Sequence, residues 1–404
     1  MVSGITALTD GSVTSPQGFI AGATYAGIRA YAPGKVDLGI LFSELPTAAA
    51  GTYSTNKVLS PSVTVTKESV ASGTSRGVIV NSGCANCAVG EQGYKDAQEM
   101  AQLAANAFGV TPQQMAVSST GIIGVELPMG LIRNTVSKIE ASRDGGHHFA
   151  RSILTTDTVT KEIAVSFIAN GTTVSLGGCA KGSGMIHPNM ATMLAYMTTD
   201  AKVDAEFLQD ALTEAVNASF NMIDIDGDSS TNDTVLLLAN GASGVKVMKG
   251  TPDGETFAAA LLEVCTHLAR EMVKDGEGAT KLIEVTVQGA ESLEDARLAA
   301  RSVASSILVK TAIHGNDPNW GRIMMALGKS GAELVEKNIG LYINDICIME
   351  GGLPIPVFRE SLIASMQGTE VRILANLNLG SGTAIAWGCN MSEEFVTFNS
   401  AYTT

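Results

Sequence analysis

The amino-acid sequence predicts an α/β fold, and three observations predict it. Strand-like and helix-like stretches alternate along the chain. Its 404 residues suit two domains of roughly 100–200 residues each better than one. Hydrophobic residues make up 45% of the chain and aromatic ones only 5%, so the core must be assembled from Ala, Val, Leu, Ile and Met.

Taken in order, residues 77–81 (GVIVN) read as a buried strand. Residues 94–108 read as a helix with Met100, Leu103, Ala104 and Phe108 on one face. A short strand at 115–118 runs into Ser119-Thr120-Gly121, and helices follow at 129–141 and 147–154. Residues 163–168 and 172–176 form a hairpin, because Asn170-Gly171 is the pair that a two-residue turn requires. Strands are expected at 193–198, 234–239, 281–287, 339–343, 371–377 and 383–388. Helices are expected at 204–220, 256–273, 293–309 and 357–366. The Gly-rich stretch 177–184 is the most distinctive interruption, and no fixed-period repeat is present.

The formal net charge is −14, with no Lys/Arg cluster to reverse it locally. Nucleic acid is therefore not an expected partner, since its affinity comes from cations neutralising phosphates. No window reaches the roughly 18–20 consecutive apolar residues of a membrane span. The opening MVSGITALTDGSVTSPQGF lacks a basic n-region and a long apolar h-region, so a cytoplasmic location is the expectation. Six cysteines are present, two of them as Cys84-Ala85-Asn86-Cys87. With no second such pair and no spaced His pair, a zinc site is incomplete, and small buried thiols are the expectation.

Several motifs fail on context. Gly73-Thr74-Ser75-Arg76-Gly77 fits G-x-S-x-G, but a strand follows where that nucleophile elbow needs a helix. Asp224-Ile225-Asp226-Gly227-Asp228 opens like a calcium loop, then places Ser229 and Val235 where Gly and Glu are required. Its aspartates, with Asp233, are expected to cap turns. The histidines show no metal spacing, and no metal is expected.

The remaining segment, KGSGMIHPNMATML over residues 181–194, joins a Gly-rich loop, one Lys and a Thr opening an apolar strand. Those features alone do not single out Thr192. The wording of the segment, however, resembles the self-cleavage signature of the ornithine acetyltransferase family, in which an Ala-Thr bond is cut. The likeness continues in order through STGIIG (119–124), TTDT (155–158), DGDSSTNDT (226–234), DGEGATK (275–281) and GNDPNWGR (315–322). One stretch departs from the family pattern N-[AS]-G-N-A-N-A. Cys84 and Cys87 stand there in place of Asn and Ala.

The resemblance implies a two-domain mixed α/β sandwich with the site between the domains. It implies a cut between Ala191 and Thr192, giving an alpha chain 1–191 and a beta chain 192–404. Thr192 is then the nucleophile, and Thr120 and Gly121 stabilise the oxyanion. Thr155, Lys181, Thr192, Glu277, Asn399 and Thr404 contact substrate, so the C-terminal tail should fold back over the site. Acetyl would pass from N-acetylornithine to glutamate without a cofactor, although some family members also take acetyl-CoA as co-substrate. The implied assembly is a heterotetramer of two alpha and two beta chains. Self-cleaving aminopeptidases share the general architecture and are the rival enzyme reading; an uncleaved, inactive binding protein is the non-enzymatic one.

Overall fold

The computed structural model describes residues 4–29, 34–187 and 193–401. Ala191, Thr192 and Thr404 lie outside the described residues.

Two large sheets carry the fold. In the first, the strand order is Ile5–Ala7, Lys161–Ala169, Thr172–Lys181, Leu194–Thr199, Thr234–Ala239, Leu38–Tyr53, Thr74–Cys84 and Met115–Ile122. Phe19–Thr24 also pairs with Leu38–Tyr53. The second sheet orders Ile223–Asp224, Gly382–Cys389, Leu282–Ala290, Glu370–Asn376, Gly340–Ile343, Ile346–Glu350 and Leu353–Pro354. The centre of the first sheet is buried on both faces. Along Thr234–Ala239, Val235, Leu237 and Ala239 enter one core and Leu236 and Leu238 the other. The former core is shared with helices Ala205–Ala218 and Pro252–Lys274 and with the second sheet.

Local chemistry accounts for the helix starts. Asp204 caps Ala205–Ala218 by accepting the Phe207 N–H, and Thr251 caps Pro252–Lys274 with Pro252 in its first turn. Pro252–Lys274 then lays its apolar stripe on Lys161–Ala169 and Thr172–Lys181. The hairpin between those two strands turns at Asn170 (φ 47°) and Gly171 (φ 74°), the left-handed pair that the sequence announces.

Three expectations need correction. The helix expected over 293–309 is two helices, Leu293–Ala304 and Ile307–His314, because Ser306 adopts an extended conformation between them. The helix expected over 129–141 ends at Thr135 and tightens into a 3₁₀ turn, Val136–Lys138. The Gly-rich interruption at 177–184 begins as strand. A Cβ at Gly177 would sit 2.2 Å from the Ser12 carbonyl oxygen, and one at Gly178 would sit 2.9 Å from Val264, so close packing is what requires both glycines.

Candidate active site

Strand ends converge on a cavity of about 300 Å³. Thr120 and Gly121 reach it from the end of Met115–Ile122, and Lys181 from the end of Thr172–Lys181. Thr155 comes from the connection before Lys161–Ala169, and Glu277 from the turn after Pro252–Lys274. Asn399, on the C-terminal helix Glu393–Ala401, completes the set. Met193, which follows Thr192, lines the same cavity. The structure thus gathers every described site residue that the sequence singles out.

Gly121 has no substitute. Its φ is +127°, and a Cβ there would lie 2.3 Å from the Gly83 carbonyl carbon and 2.6 Å from the Cys84 nitrogen. Gly184 has a different reason, since a Cβ would meet the Glu277 carboxylate at 2.6 Å. That carboxylate accepts a hydrogen bond from Asn399 Nδ2 at 2.9 Å, fixing its direction along the wall.

The chain on either side of 188–192 is tied down. Gly182 N–H donates to Asp157 at 2.7 Å, Thr156 and Ser183 share a hydroxyl contact at 2.7 Å, and Glu277 N–H donates to the Ser183 carbonyl. Asp226 accepts the backbone N–H groups of Met185, Ile186 and Asp228. Ser229 Oγ donates to the His187 carbonyl at 2.7 Å, and on the far side Thr234 N–H donates to the Met193 carbonyl at 2.9 Å.

Lys181 is buried and makes no ion pair with a described residue. Burial pushes its pKa down, and the charge of Asp157 pulls against that fall. The Asp157 side chain is itself shielded from solvent. Burial works to raise its carboxyl, but Lys161 and then Lys181 outweigh it and hold the pKa at about 2. Lys161, wholly buried, bridges Asp157 and Asp275. Nothing in the sequence announces this triad, because an isolated Lys carries no spacing signal. Asp226 caps a turn as expected, accepting the Asp228 N–H, but Asp224 does not act as a simple turn cap. Asp224 pairs with His187 at 2.7 Å and with buried Lys310 at 2.6 Å.

Cys84 and Cys87 are free and buried, and their thiols point at different carbonyls, Val125 at 3.1 Å and Val58 at 3.7 Å. Burial raises the Cys84 thiol's pKa. Ser75 is buried with its hydroxyl donating to backbone carbonyls, so it offers no nucleophile. Among the described residues, no helix is long and apolar enough to cross a membrane.

Comparison with known proteins identifies the family. The model of the ArgJ family matches residues 20–404. The chain is similar to the arginine biosynthesis bifunctional protein ArgJ of Dehalococcoides mccartyi, 47% identical over 405 residues and covering 100% of both chains. It is also similar to the protein of that name from Symbiobacterium thermophilum, 48% identical over 397 residues and covering 98% of this chain and 99% of the relative. Among solved structures it resembles the arginine biosynthesis bifunctional protein ArgJ of Bacillus halodurans. That likeness has 41% identity and a TM-score of 0.51, covering 52% of this chain and 100% of the solved one. With a family model matched over nearly its whole length and full-length relatives at this identity, the chain belongs to the ArgJ family, the bifunctional enzymes of arginine biosynthesis.

Proposed function

We propose that the chain cuts itself between Ala191 and Thr192 and that Thr192 then carries acetyl from N-acetylornithine to glutamate. The observation that carries this reading is the convergence of Thr120, Gly121, Thr155, Lys181, Glu277 and Asn399 on one cavity beside Met193. The solved Bacillus halodurans chain, matched in full by about half of this one, has the length that a cut near the middle would leave.

In the cut, Thr192 Oγ attacks the Ala191 carbonyl carbon and the Ala191–Thr192 C–N bond breaks. Water hydrolyses the resulting ester, leaving a carboxylate on Ala191 and a free α-amine on Thr192. With an ordinary pKa of about 7.7–8.0, that amine accepts the Thr192 hydroxyl proton near neutral pH. Oγ then attacks the acetyl carbonyl of N-acetylornithine, and the amide C–N bond breaks. The amine returns the proton to the departing ornithine nitrogen. The neutral amine of glutamate attacks the acetyl-Thr192 ester, the acyl C–Oγ bond breaks, the Thr192 α-amine passes the surplus ammonium proton to Oγ, and N-acetylglutamate leaves.

Each tetrahedral intermediate carries an oxyanion for the Thr120 hydroxyl and the Gly121 N–H to stabilise, a donor being worth about 3–4 kcal/mol. Lys181 takes the substrate α-carboxylate, which returns a counter-charge to its buried ammonium. Glu277, oriented by Asn399, takes an ammonium. Acetyl-CoA serves as a second donor to the same Thr192, in keeping with the relatives' description as bifunctional. The pieces 1–191 and 192–404 assemble as a heterotetramer of two alpha and two beta chains.

Intact mass with N-terminal sequencing tests the cut. Two pieces are expected, the second beginning Thr192-Met193-Leu194, while Thr192→Ala stays whole. Acetyl transfer to glutamate, from N-acetylornithine and separately from acetyl-CoA, tests the chemistry. An uncut wild-type chain overturns the reading, and peptide hydrolysis without acetyl transfer would replace it with a self-cleaving aminopeptidase.

A further inference from the structure

We infer that Asn232 is a positioning residue that sets the oxyanion donors against the nucleophile's strand. The inference rests on the proposed roles of Thr120, Gly121 and Thr192. A carboxamide brings two donors and one acceptor, and buried Asn232 uses all of these functions inside the protein. Its Nδ2 donates to the Ala85 carbonyl at 2.6 Å and to the Ser119 carbonyl at 2.8 Å. Its Oδ1 accepts from Thr231 Oγ1 at 2.6 Å. Carbonyls only accept, so the nitrogen must face Ala85 and Ser119, and the orientation of the amide follows.

What those two carbonyls hold gives Asn232 its importance. Ser119 immediately precedes Thr120 on the strand Met115–Ile122. Ala85 follows Cys84 at the end of Thr74–Cys84, the parallel neighbour whose Gly83 and Cys84 backbone presses on Gly121. Asn232 therefore clamps the two paired strand ends that carry and flank Thr120 and Gly121. Two residues later, Thr234 N–H donates to the carbonyl of Met193, next to Thr192. One short stretch of chain thus joins the oxyanion donors at one end to the nucleophile's strand at the other. Both Nδ2 hydrogens are taken, so Asn232 has no amide donor left for substrate. It acts through Thr120 and Gly121.

Asn232→Asp turns an oxygen toward two carbonyl oxygens and forces them apart. A misplacement of about 1 Å costs on the order of 100-fold in rate. In the full chain, kcat for acetyl transfer, normalised to the cut fraction by intact mass, should fall by about that factor. The KM for N-acetylornithine should stay within about threefold. Self-cleavage should slow as well, because the same donors serve both reactions. Ser54→Ala removes a hydrogen bond to the Ser230 carbonyl in the same loop and should leave kcat within about threefold, separating positioning from general loosening. If Asn232→Asp does not fold, Asn232→Ser, which keeps one donor, carries the same test. Wild-type kcat in a folded variant overturns the inference, and so does a raised KM with kcat preserved, which would make Asn232 a substrate contact. A wild-type chain that neither cuts nor transfers acetyl defeats the underlying reading and the inference with it. A variant matching an active wild type defeats the inference alone.

Discussion

Gly121 and Lys181 show how single residues set the chemistry of the cavity. Gly121→Ala would force a methyl into the backbone of Gly83 and Cys84, at a φ that side chains avoid. The chain should then lose self-cleavage, read as a single band at full mass, even where circular dichroism shows a folded protein. Lys181→Met keeps the side-chain length and removes the charge. Binding of a carboxylate substrate should weaken by at least about tenfold, or about 1.4 kcal/mol, seen as a raised KM for N-acetylornithine. An unchanged KM would remove Lys181 from carboxylate recognition. At this scale the sequence was informative only through resemblance. Thr120, Lys181 and Glu277 stand far apart along the chain, and no spacing rule joins them. Asn232 lay inside a recognised motif, but its role depends on which carbonyls surround it.

Between elements, the buried Asp157–Lys161–Asp275 triad ties the start of one strand to the end of the helix Pro252–Lys274. Lys161→Met would leave two buried carboxylates facing each other without a cation, and breaking such a set costs about 3–5 kcal/mol. The urea midpoint should fall accordingly. The pH dependence follows from Asp157, whose pKa drops from 3.8 to about 2 on folding. A depressed carboxyl contributes stability that is present above its unfolded pKa and lost as pH falls through its folded one. Melting temperature should therefore drop between about pH 4 and pH 2, and less steeply in Asp157→Asn. Elements with a strong period or a turn signature were legible, including the hairpin at Asn170-Gly171 and the strand Thr234–Ala239. Leu38–Tyr53 was not, because Pro46 and the polar residues around it break the alternation where its pairing register shifts. Nor was Pro61–Val70, whose Ser60 cap precedes a run rich in Thr, Ser and Val that lacks a helical apolar stripe.

Across the whole molecule, a cut at Ala191–Thr192 would not separate two bodies. Leu194–Thr199 pairs with Thr172–Lys181, and Thr234–Ala239 pairs with Leu38–Tyr53, so two strands of the second piece lie inside a sheet of the first. The pieces should co-elute as one species on gel filtration in native buffer and separate only in denaturant. Separation in native buffer would show that these ladders do not hold them. The sequence by itself determined the α/β class and, through its motifs, the family. Each of these depends on local pattern or composition, which a chain carries without folding. Tertiary structure alone decided that the two sides of 191–192 share one sheet and that Asn232 bonds the Ala85 and Ser119 carbonyls beside Thr120. It also placed Lys161 between two carboxylates. Hydrogen bonds and charges act over a few ångströms, and only the folded chain brings these residues within that reach.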